Sequence, residues 1–190
     1  MKKLVVASGN KGKIKEIKEI LKGRYEVVSM YDAGFTGEIE EDKETFYENA
    51  LKKAKTVSEK LNLDALADDS GLTVDALGGA PGVYSARYAG VHGDDALNRK
   101  KLLENLDGVV DRSAKFVCSA VLYTADGKIY SGYGETTGKI GYKEEGTNGF
   151  GYDSLFISDD LNKTFALSSD EEKNSVSHRY RALKDLLENL

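Results

Sequence analysis

The pentapeptide Ala-Asp-Asp-Ser-Gly at residues 67–71 places two adjacent carboxylates, Asp68 and Asp69, directly after an apolar run. As a strand that ends in a tight turn, it would hold acidic oxygens at the rim of a sheet, where hard divalent cations are commonly bound. The competing interpretation is an ordinary surface turn, because Asp, Ser and Gly are common turn residues for purely local reasons. The rest of the sequence has to decide between the two.

The composition is that of a globular protein. The 190 residues are 40% hydrophobic and 31% charged, which suits one domain or two closely fused lobes with a sizeable core. No apolar run approaches the roughly 20 residues that a membrane span requires. The N-terminus also lacks the pattern of a signal peptide. We therefore expect a cytoplasmic protein without a membrane partner.

Charge and cysteine content exclude further classes. The single cysteine, Cys118, rules out an internal disulfide and a cysteine metal cage, and its apolar surroundings predict a small buried side chain. A net charge of -5 argues against a protein that coats nucleic acid, for which a basic surface is expected. An anionic substrate would therefore need local lysines, glycine amides or a metal ion.

A strand, a glycine-containing loop and a helix follow one another at the N-terminus. Residues 3–8 predict the strand, and Ile14, Ile17 and Leu21 repeat at helical spacing after the loop. Such a junction directs backbone amides and the positive end of the helix at one point, which suits an anion. The spacing is not that of a Walker A loop, so an ordinary strand-to-helix turn remains an alternative. The candidate anion-binding residues are Ser8, Gly9, Asn10, Lys11, Gly12 and Lys13.

An acidic loop follows the second predicted strand at residues 25–30. Either it is a solvated loop, or one of its carboxylates is a metal ligand opposite Asp69. A helix is predicted to begin after Thr45, which has the capping-box spacing to Glu48. Its lysines are expected to face solvent wherever they lie off the apolar stripe. The acidic residues of the loop are Glu38, Glu40, Glu41, Asp42 and Glu44.

The second half of the chain predicts a mixed sheet. A helix at residues 94–106 precedes strands at 115–124 and 129–136, with an Ala-Asp-Gly-Lys turn between the two strands. A hairpin of this kind excludes a purely parallel sheet. A further short strand is predicted at residues 155–157.

Two groups near the C-terminus have the character of a ring-binding site. Phe150 lies between two glycines, which favours an exposed aromatic that stacks on a planar ring, although a bulged strand entry with a core Phe is the alternative. In the last helix we expect His178 and Arg179 to lie off the buried face, with Lys173 just upstream, where they could read an anion or a carbonyl. The predicted apolar stripe is Val176, Tyr180, Leu183, Leu187 and Leu190.

Six motifs, in this order, resemble the inosine/xanthosine triphosphate pyrophosphatase family, and the resemblance runs from about Leu4 to the final helix. No single motif is specific, whereas all six in sequence are. Two departures affect local loops: Ser154 stands where the family commonly has proline, and Ala166 and Leu167 are adjacent where it commonly has an intervening glutamate. The motifs lie at residues 8–13, 48–50, 67–72, 79–88, 149–153 and 177–179.

The resemblance implies a fold and an activity. The fold is an elongated mixed α/β structure, a single domain over residues 1–190 whose two lobes flank a nucleotide cleft, and the protein is a homodimer. The activity is Mg²⁺-dependent hydrolysis of non-standard purine nucleoside triphosphates, namely ITP, dITP and XTP, to the monophosphate and pyrophosphate.

The resemblance also implies residue roles. Asp69 is the general base and a metal ligand, with Glu40 as the second ligand and Glu41 and Asp68 as alternates. Residues 8–13 and Ser70 contact the substrate. A 6-keto purine presents an acceptor where adenine presents a donor, so buried donors would reject the wrong base. The base-reading residues implied are Phe150, Gly151, Tyr152, Asp153, Lys173, His178 and Arg179.

Two rival functions remain open from the sequence. A pyrophosphatase for modified pyrimidine nucleotides would share the metal and phosphate residues, and only the base-reading residues argue against it. A non-catalytic nucleotide-binding regulator would keep the site without turnover. The Asp68-Asp69 pair disfavours the regulator, because a binder has no need of a carboxylate that activates water.

Overall fold

The computed structural model describes residues 1–190 and contains one six-stranded sheet with flanking helices. None of the helices is both long and apolar enough to cross a membrane. The strands are β1 (Lys2–Val6), β2 (Tyr25–Ser29), β3 (Ala65–Val74), β4 (Ser113–Tyr123), β5 (Ile129–Ile140) and β6 (Phe156–Ser158). The helices are α1 (Lys11–Ile20), α2 (Phe46–Leu61), α3 (Asp95–Asn105), α4 (Asp170–Val176) and α5 (His178–Glu188).

The strand order is β2-β1-β3-β4-β5-β6. Strand β1 runs parallel to β2 and β3, whereas β5 and β6 are antiparallel. The predicted turn joins β4 to β5, with the Thr124 N–H donating to the Lys128 carbonyl at 2.9 Å. The predicted mixed α/β class is therefore confirmed, and β5 extends four residues beyond the predicted end at residue 136.

The chain divides into two compact units. The first unit comprises Met1–Asp69, Cys118–Gly134 and Arg179–Leu190, and the second comprises Ser70–Val117 and Glu135–His178. Strands β3, β4 and β5 each contribute residues to both units.

The first unit has helices on both faces of its strands. Because side chains alternate along a strand, Leu4 and Val6 pack with residues of α1 and α5, while Val5 and Ala7 pack with residues of α2. This arrangement explains why β1 reads as a continuous apolar run rather than an alternating one.

The second unit is built around a cluster of three aromatic rings. Phe116 lies with its ring centroid 4.5 Å from that of Phe156 and 6.0 Å from that of Phe165. Leu102 of α3 and Leu106, which directly follows that helix, also belong to this core. The aromatic cluster therefore links β4, β6 and the short 3-10 helix Phe165–Leu167.

Residues 67–71 do not form a turn. They lie inside β3, where Asp68 and Asp69 are 0% and 3% exposed, so both the strand-end and the surface-turn interpretations are wrong. The physical reason is that β3 lies between β1 and β4, which allows the backbone to continue its hydrogen bonding through a turn-like sequence. The two carboxylates are therefore interior charges that require partners.

The predicted stripe of the last helix is also wrong in part. The chain is extended at Ser177, with ψ of 157°, so Val176 ends α4 and does not belong to α5. The buried positions of α5 are His178, Arg179, Ala182, Leu183 and Leu186, and those from Arg179 onward follow helical spacing. Sequence analysis missed this stripe because it begins with an arginine.

The close approach of α5 to β5 generates a prediction about stability. A Cβ on Gly132 would overlap the Ala182 carbonyl oxygen and the Leu186 N–H group, both of which are backbone. We expect Gly132→Ala to lower the free energy of unfolding by about 1–3 kcal/mol, because the helix would have to shift. Urea denaturation measures this difference.

The matched control is Gly141→Ala, whose Cβ would meet no atom closer than 3.4 Å. We expect it to change the free energy of unfolding by about 0.5 kcal/mol or less. Equal losses for the two variants would show that the helix contact at Gly132 is not the cause.

Candidate active site

The loop after β1 presents the start of α1. The Asn10 side chain caps the helix by accepting from the Lys13 N–H at 3.0 Å, and the backbone N–H of Asn10 donates to Ser8 Oγ at 3.1 Å. The N–H groups of Lys11 and Gly12 precede the first bond of the helix ladder, where an anion is favoured. The predicted strand, loop and helix are thus present, and Asn10 is the helix cap.

Asp68 carries a buried negative charge with two cationic neighbours. Its Oδ2 accepts from Arg179 Nε at 3.1 Å and Nη2 at 2.9 Å, and Lys13 Nζ lies 3.5 Å away. Burial raises the pKa of Asp68, but the charges of Lys13, Arg179 and Lys53 outweigh it and hold that pKa well below its usual range. Asp68 is therefore ionised. Glu16 accepts a hydrogen bond from Arg179 Nη1, so Arg179 is bound by both Asp68 and Glu16.

Asp69 has a different environment. Its Oδ2 accepts from Asn49 Nδ2 at 3.0 Å, and Lys53 Nζ lies 3.9 Å from Oδ1. Burial raises the pKa of Asp69, and the nearby charges of Lys53 and Lys13 do not fully offset that effect. A carboxylate with a raised pKa next to a basic side chain suits proton transfer better than an ordinary surface aspartate does.

Strand alternation separates the two aspartates. Leu66 packs with residues of α1 and α5, and Asp68, two positions later, bonds to Arg179 of α5. Ala67 packs with residues of α2, and Asp69 bonds to Asn49 of α2. Adjacent residues of identical type therefore serve opposite faces of β3.

Lys53 is a site residue that sequence analysis missed. Its Nζ donates to Glu41 Oε1 and to the Asp68 carbonyl, both at 2.7 Å, and only 6% of the residue is exposed. Burial lowers the pKa of Lys53, but the charges of Glu41, Asp69 and Asp68 outweigh it and raise that pKa. The expectation of solvent exposure covered only the lysines off the apolar stripe of this helix, and Lys53 continues that stripe.

A signal for Lys53 is present in the sequence. Asn49 and Lys53 are four residues apart and lie on the same helix face as Ala50, Ala54 and Val57, which are all buried. Polar residues that continue an apolar stripe must find buried partners, so they are candidates for a site.

The acidic loop contributes Glu41 to this cluster. Glu41 is half-buried on Lys53, and its pKa is lowered because Lys53 and Lys13 outweigh the effect of burial. Glu40, which sequence analysis preferred, is exposed. The structure therefore brings the alternate, Glu41, to Asp68 and Asp69, because successive loop residues point in different directions and the sequence pattern does not fix which one turns inward.

The oxygen donors of the first unit fit a magnesium ion. The structure contains no group of three or more His, Cys, Asp or Glu side chains that would hold a metal by themselves. However, Asp68 Oδ1 is buried without a hydrogen-bond partner, and on the α2 side of β3 the carboxylates of Asp69 and Glu41 both lie near Lys53 Nζ. Mg²⁺ is normally held through one or two carboxylates together with water and substrate phosphates, so this sparse donor set is sufficient.

In the second unit, residues 149–153 form a closed loop. The Phe150 N–H donates to Asp153 Oδ2 at 3.0 Å, and Lys173 Nζ donates to the same oxygen at 2.6 Å. Lys173 Nζ also lies 4.8 Å from the centroid of the half-buried Phe150 ring. A Cβ on Gly149 would collide with Asp153 Oδ2, so glycine is required there. The loop therefore holds Phe150 beside a buried cation.

The other predicted base readers are mostly interior. Tyr152 is 5% exposed, and its hydroxyl donates to the Ser85 carbonyl at 2.6 Å. Ser70 is half-buried within β3. Ser154, one of the two departures from the family pattern, donates to Glu144 Oε1 at 2.8 Å and so takes part in the same loop region.

His178 and Arg179 are both buried, at 5% and 1% exposure, so the expectation that they lie off the buried face is wrong. His178 stacks on Phe116 in the second unit, with ring centroids 4.8 Å apart and planes 15° apart. Arg179 belongs to the first unit, where it binds Asp68 and Glu16. The reason is that α5 begins at His178, so its first turn enters the interior.

Comparison with known proteins identifies the family. The sequence model of the Ham1 family matches residues 4–189. This chain belongs to the Ham1 family. Among curated Ham1-like relatives, the dITP/XTP pyrophosphatase of Clostridium tetani is 48% identical, with 100% of this chain and 96% of that protein covered. The dITP/XTP pyrophosphatase of Haemophilus influenzae is 50% identical, with 97% and 96% covered.

Solved Ham1 structures share the fold. The Staphylococcus aureus Ham1 protein superposes with a TM-score of 0.85 at 42% identity, covering 96% of this chain and 95% of that one. A HAM1 protein from Coxiella burnetii gives a TM-score of 0.86 at 39% identity, covering 98% and 96%. The family predicted from the six motifs is therefore confirmed.

The opposite environments of Asp68 and Asp69 predict opposite effects on stability. At neutral pH and without added metal, we expect Asp68→Asn to lower the free energy of unfolding by about 3 kcal/mol, because Arg179 loses a buried partner. We expect Asp69→Asn to leave the free energy of unfolding unchanged or to raise it, because a carboxylate with a raised pKa is costly to ionise inside the fold. Urea denaturation compares them.

The pH dependence provides the check on this prediction. The contribution of Asp68 is present above its unfolded pKa, about 3.8, and is lost as the pH falls below that value, because its folded pKa is lower. Asp69 has the opposite pH dependence: its stabilising contribution is fully present below its unfolded pKa and is lost as the pH rises through its raised folded pKa. Equal destabilisation by both substitutions at every pH would contradict these assignments.

Proposed function

We propose that this Ham1-family protein hydrolyses ITP, dITP and XTP to the monophosphate and pyrophosphate in a Mg²⁺-dependent reaction. The observation that carries the proposal is the full-length similarity, at 48% and 50% identity, to proteins named dITP/XTP pyrophosphatase. These relatives also confirm the predicted class, so the chain is a nucleoside triphosphate pyrophosphatase. The products, the metal and the residue roles are our inference.

The first unit supplies the groups that a triphosphate requires. Backbone N–H groups at the start of α1 and the ammonium of Lys13 would bind phosphate oxygens. Lys53 lies next to Asp69 and would neutralise charge that develops on the leaving pyrophosphate. Because both lysines are already fixed by carboxylates, they need little reorganisation when the substrate arrives.

Asp69 and Glu41 are the proposed magnesium ligands, with Asp68 as an ionised support beside them. The metal, when bound, supplies positive charge to the phosphate oxygens and to the leaving group. Glu41 replaces Glu40 in this role because it lies with Asp69 on Lys53, whereas Glu40 is exposed.

Asp69 is also the proposed general base. Its Oδ2 is oriented by Asn49, and its raised pKa favours acceptance of a proton from the water that attacks the α-phosphorus. The reaction forms a bond from the water oxygen to the α-phosphorus and breaks the bond from that phosphorus to the oxygen of the leaving pyrophosphate.

The second unit supplies the proposed base-reading groups. The Phe150 ring offers a face for the purine, and Lys173 and His178 offer donors for its 6-keto oxygen. The proposed role of Arg179 is to hold Asp68 through hydrogen bonds. For Arg179 to contact the base directly, it would have to give up one of its hydrogen bonds to a carboxylate. The homodimer and the cytoplasmic location implied by the family resemblance remain part of the proposal.

The substrate range follows from this assignment. We expect Mg²⁺-dependent release of pyrophosphate from ITP, dITP and XTP to exceed release from ATP by at least about 100-fold in kcat/KM, because adenine leaves the buried donors for the 6-keto oxygen unpaired. GTP carries the same 6-keto oxygen, so these donors do not separate it from the three substrates. A coupled pyrophosphate assay on the five nucleotides and dUTP, with and without EDTA, measures this.

Each alternative function predicts a different result in the same assay. Turnover chiefly of dUTP would favour a pyrimidine enzyme. Binding of ITP without release of pyrophosphate would favour a regulator. Release of orthophosphate in place of pyrophosphate would place the attack at a different phosphorus and overturn the proposed reaction.

The general-base role predicts a specific loss. We expect Asp69→Asn to lower kcat by about 10²–10⁴-fold while the protein remains folded, because water loses its proton acceptor. In the wild type, kcat is expected to fall as the pH drops through the raised pKa of Asp69, since the base must be ionised. Steady-state kinetics with circular dichroism test both.

The exposed Glu40→Gln variant is the control for the loss of one acidic side chain near the site. It should keep most of the wild-type kcat, and a loss as large as that of Asp69→Asn would return Glu40 to the metal site. Near-normal turnover by Asp69→Asn would remove Asp69 from the base role.

A further inference from the structure

The peptide of Gly151, within the proposed base-binding loop, is held on both sides by one helix. Its N–H donates to Asp95 Oδ2 at 3.0 Å, and its carbonyl accepts from Arg99 Nη1 at 2.8 Å. Asp95 and Arg99 are four residues apart in α3 and so lie one turn apart on the same face. We refer to these two residues as the α3 clamp.

The clamp rests on a firmly anchored helix. Asp94 caps α3 by accepting from the Leu97 N–H at 3.0 Å, and Leu102 and Leu106 of the same segment are fully buried in the core of the second unit. Arg99 also forms an ion pair with Glu144 through Nε. The clamp therefore fixes the Gly151 peptide relative to the core of its own unit.

Gly151 is a position where such restraint matters. Its φ of +59° lies in the left-handed region, which glycine adopts and leaves more readily than other residues do. The Phe150 N–H is bound by Asp153, and the Tyr152 hydroxyl is bound by the Ser85 carbonyl. Gly151 has no side chain, so the clamp provides the side-chain bonds that hold its peptide.

We propose that Asp95 and Arg99 are positioning residues for base recognition, because they fix the Gly151 peptide and thereby the orientation of the Phe150 ring on which the purine stacks. Neither residue needs to contact the nucleotide, and both act through Gly151. This inference rests on the proposed function and adds specificity-determining residues on α3, outside the six motifs.

A purely structural role of the clamp predicts different kinetics. If the clamp only stabilises the second unit, its loss should lower stability and affect all ligands alike. If it positions Phe150, its loss should weaken ligands that contain a base and spare inorganic tripolyphosphate, which has none. Comparing the change in KM for ITP with the change in Ki for tripolyphosphate therefore distinguishes the structural role from the positioning role.

The experiment compares three variants at Asp94 and Asp95. Asp95→Ala removes the acceptor for the Gly151 N–H, Asp95→Asn retains an acceptor oxygen, and Asp94→Ala removes the adjacent helix cap without touching the Gly151 bonds. The measurements are kcat and KM for ITP, Ki for tripolyphosphate, the unfolding temperature and the hydrogen-exchange rate of the Gly151 amide.

For Asp95→Ala we expect KM for ITP to rise about tenfold, within the range that one base-aromatic stack contributes. We expect kcat and the tripolyphosphate Ki to stay within about twofold, and the Gly151 amide to exchange faster. Asp95→Asn should restore most of the KM. Asp94→Ala should lower the unfolding temperature without the rise in KM. If Asp95→Ala does not fold, Arg99→Met tests the same peptide from its carbonyl side.

Two results for Asp95→Ala would contradict the positioning role of the clamp. One is a KM for ITP that rises no more than in Asp94→Ala, and the other is an equal rise in the KM for ITP and in the tripolyphosphate Ki. A wild type that hydrolyses none of ITP, dITP and XTP would instead overturn the proposed function. In that case the positioning role of the α3 clamp is tested by calorimetric measurement of IMP binding. That role is contradicted if wild type and Asp95→Ala bind IMP equally, or if neither binds it.

Discussion

The burial of two neighbouring carboxylates on one interior strand is the constraint on which the first unit depends. Asp68 and Asp69 leave β3 on opposite faces, so each face must supply its own compensation. On one face Arg179 and Lys13 hold Asp68 ionised, and on the other Asn49 and Lys53 surround Asp69. The sequences of α1, α2 and α5 all carry polar residues that continue an apolar stripe because of this requirement.

The asymmetry between the two aspartates has a chemical use. More positive charge surrounds Asp68, so it remains an anion and supports the local charge balance. Asp69 is compensated less completely, and burial therefore raises its pKa, which is the property expected of a group that accepts a proton. Two residues of identical type acquire different functions because their surroundings differ.

Sequence patterns predicted the local elements well. Helix α1, the Thr45 cap of α2, the hairpin between β4 and β5 and helix α3 all follow from spacing and turn chemistry, which act over a few residues. The patterns failed where long-range partners decide. Residues 67–71 have turn composition but form a strand, and the lysine at position 53 is buried because carboxylates from a loop and a strand meet it there.

By itself, the sequence determined the family, the order of the motifs and the identities of most candidate residues, because these are properties of residue type and spacing. Only the tertiary structure decided that Glu41 rather than Glu40 joins Asp69, that Arg179 is the partner of Asp68, and that Asp95 and Arg99 hold Gly151. The hydrogen-bonded pairs among these join residues 52 to 111 positions apart in the sequence, and the choice between Glu40 and Glu41 depends on side-chain direction. The physical reason is that ion pairing and burial depend on distances in space, which residue spacing alone does not fix.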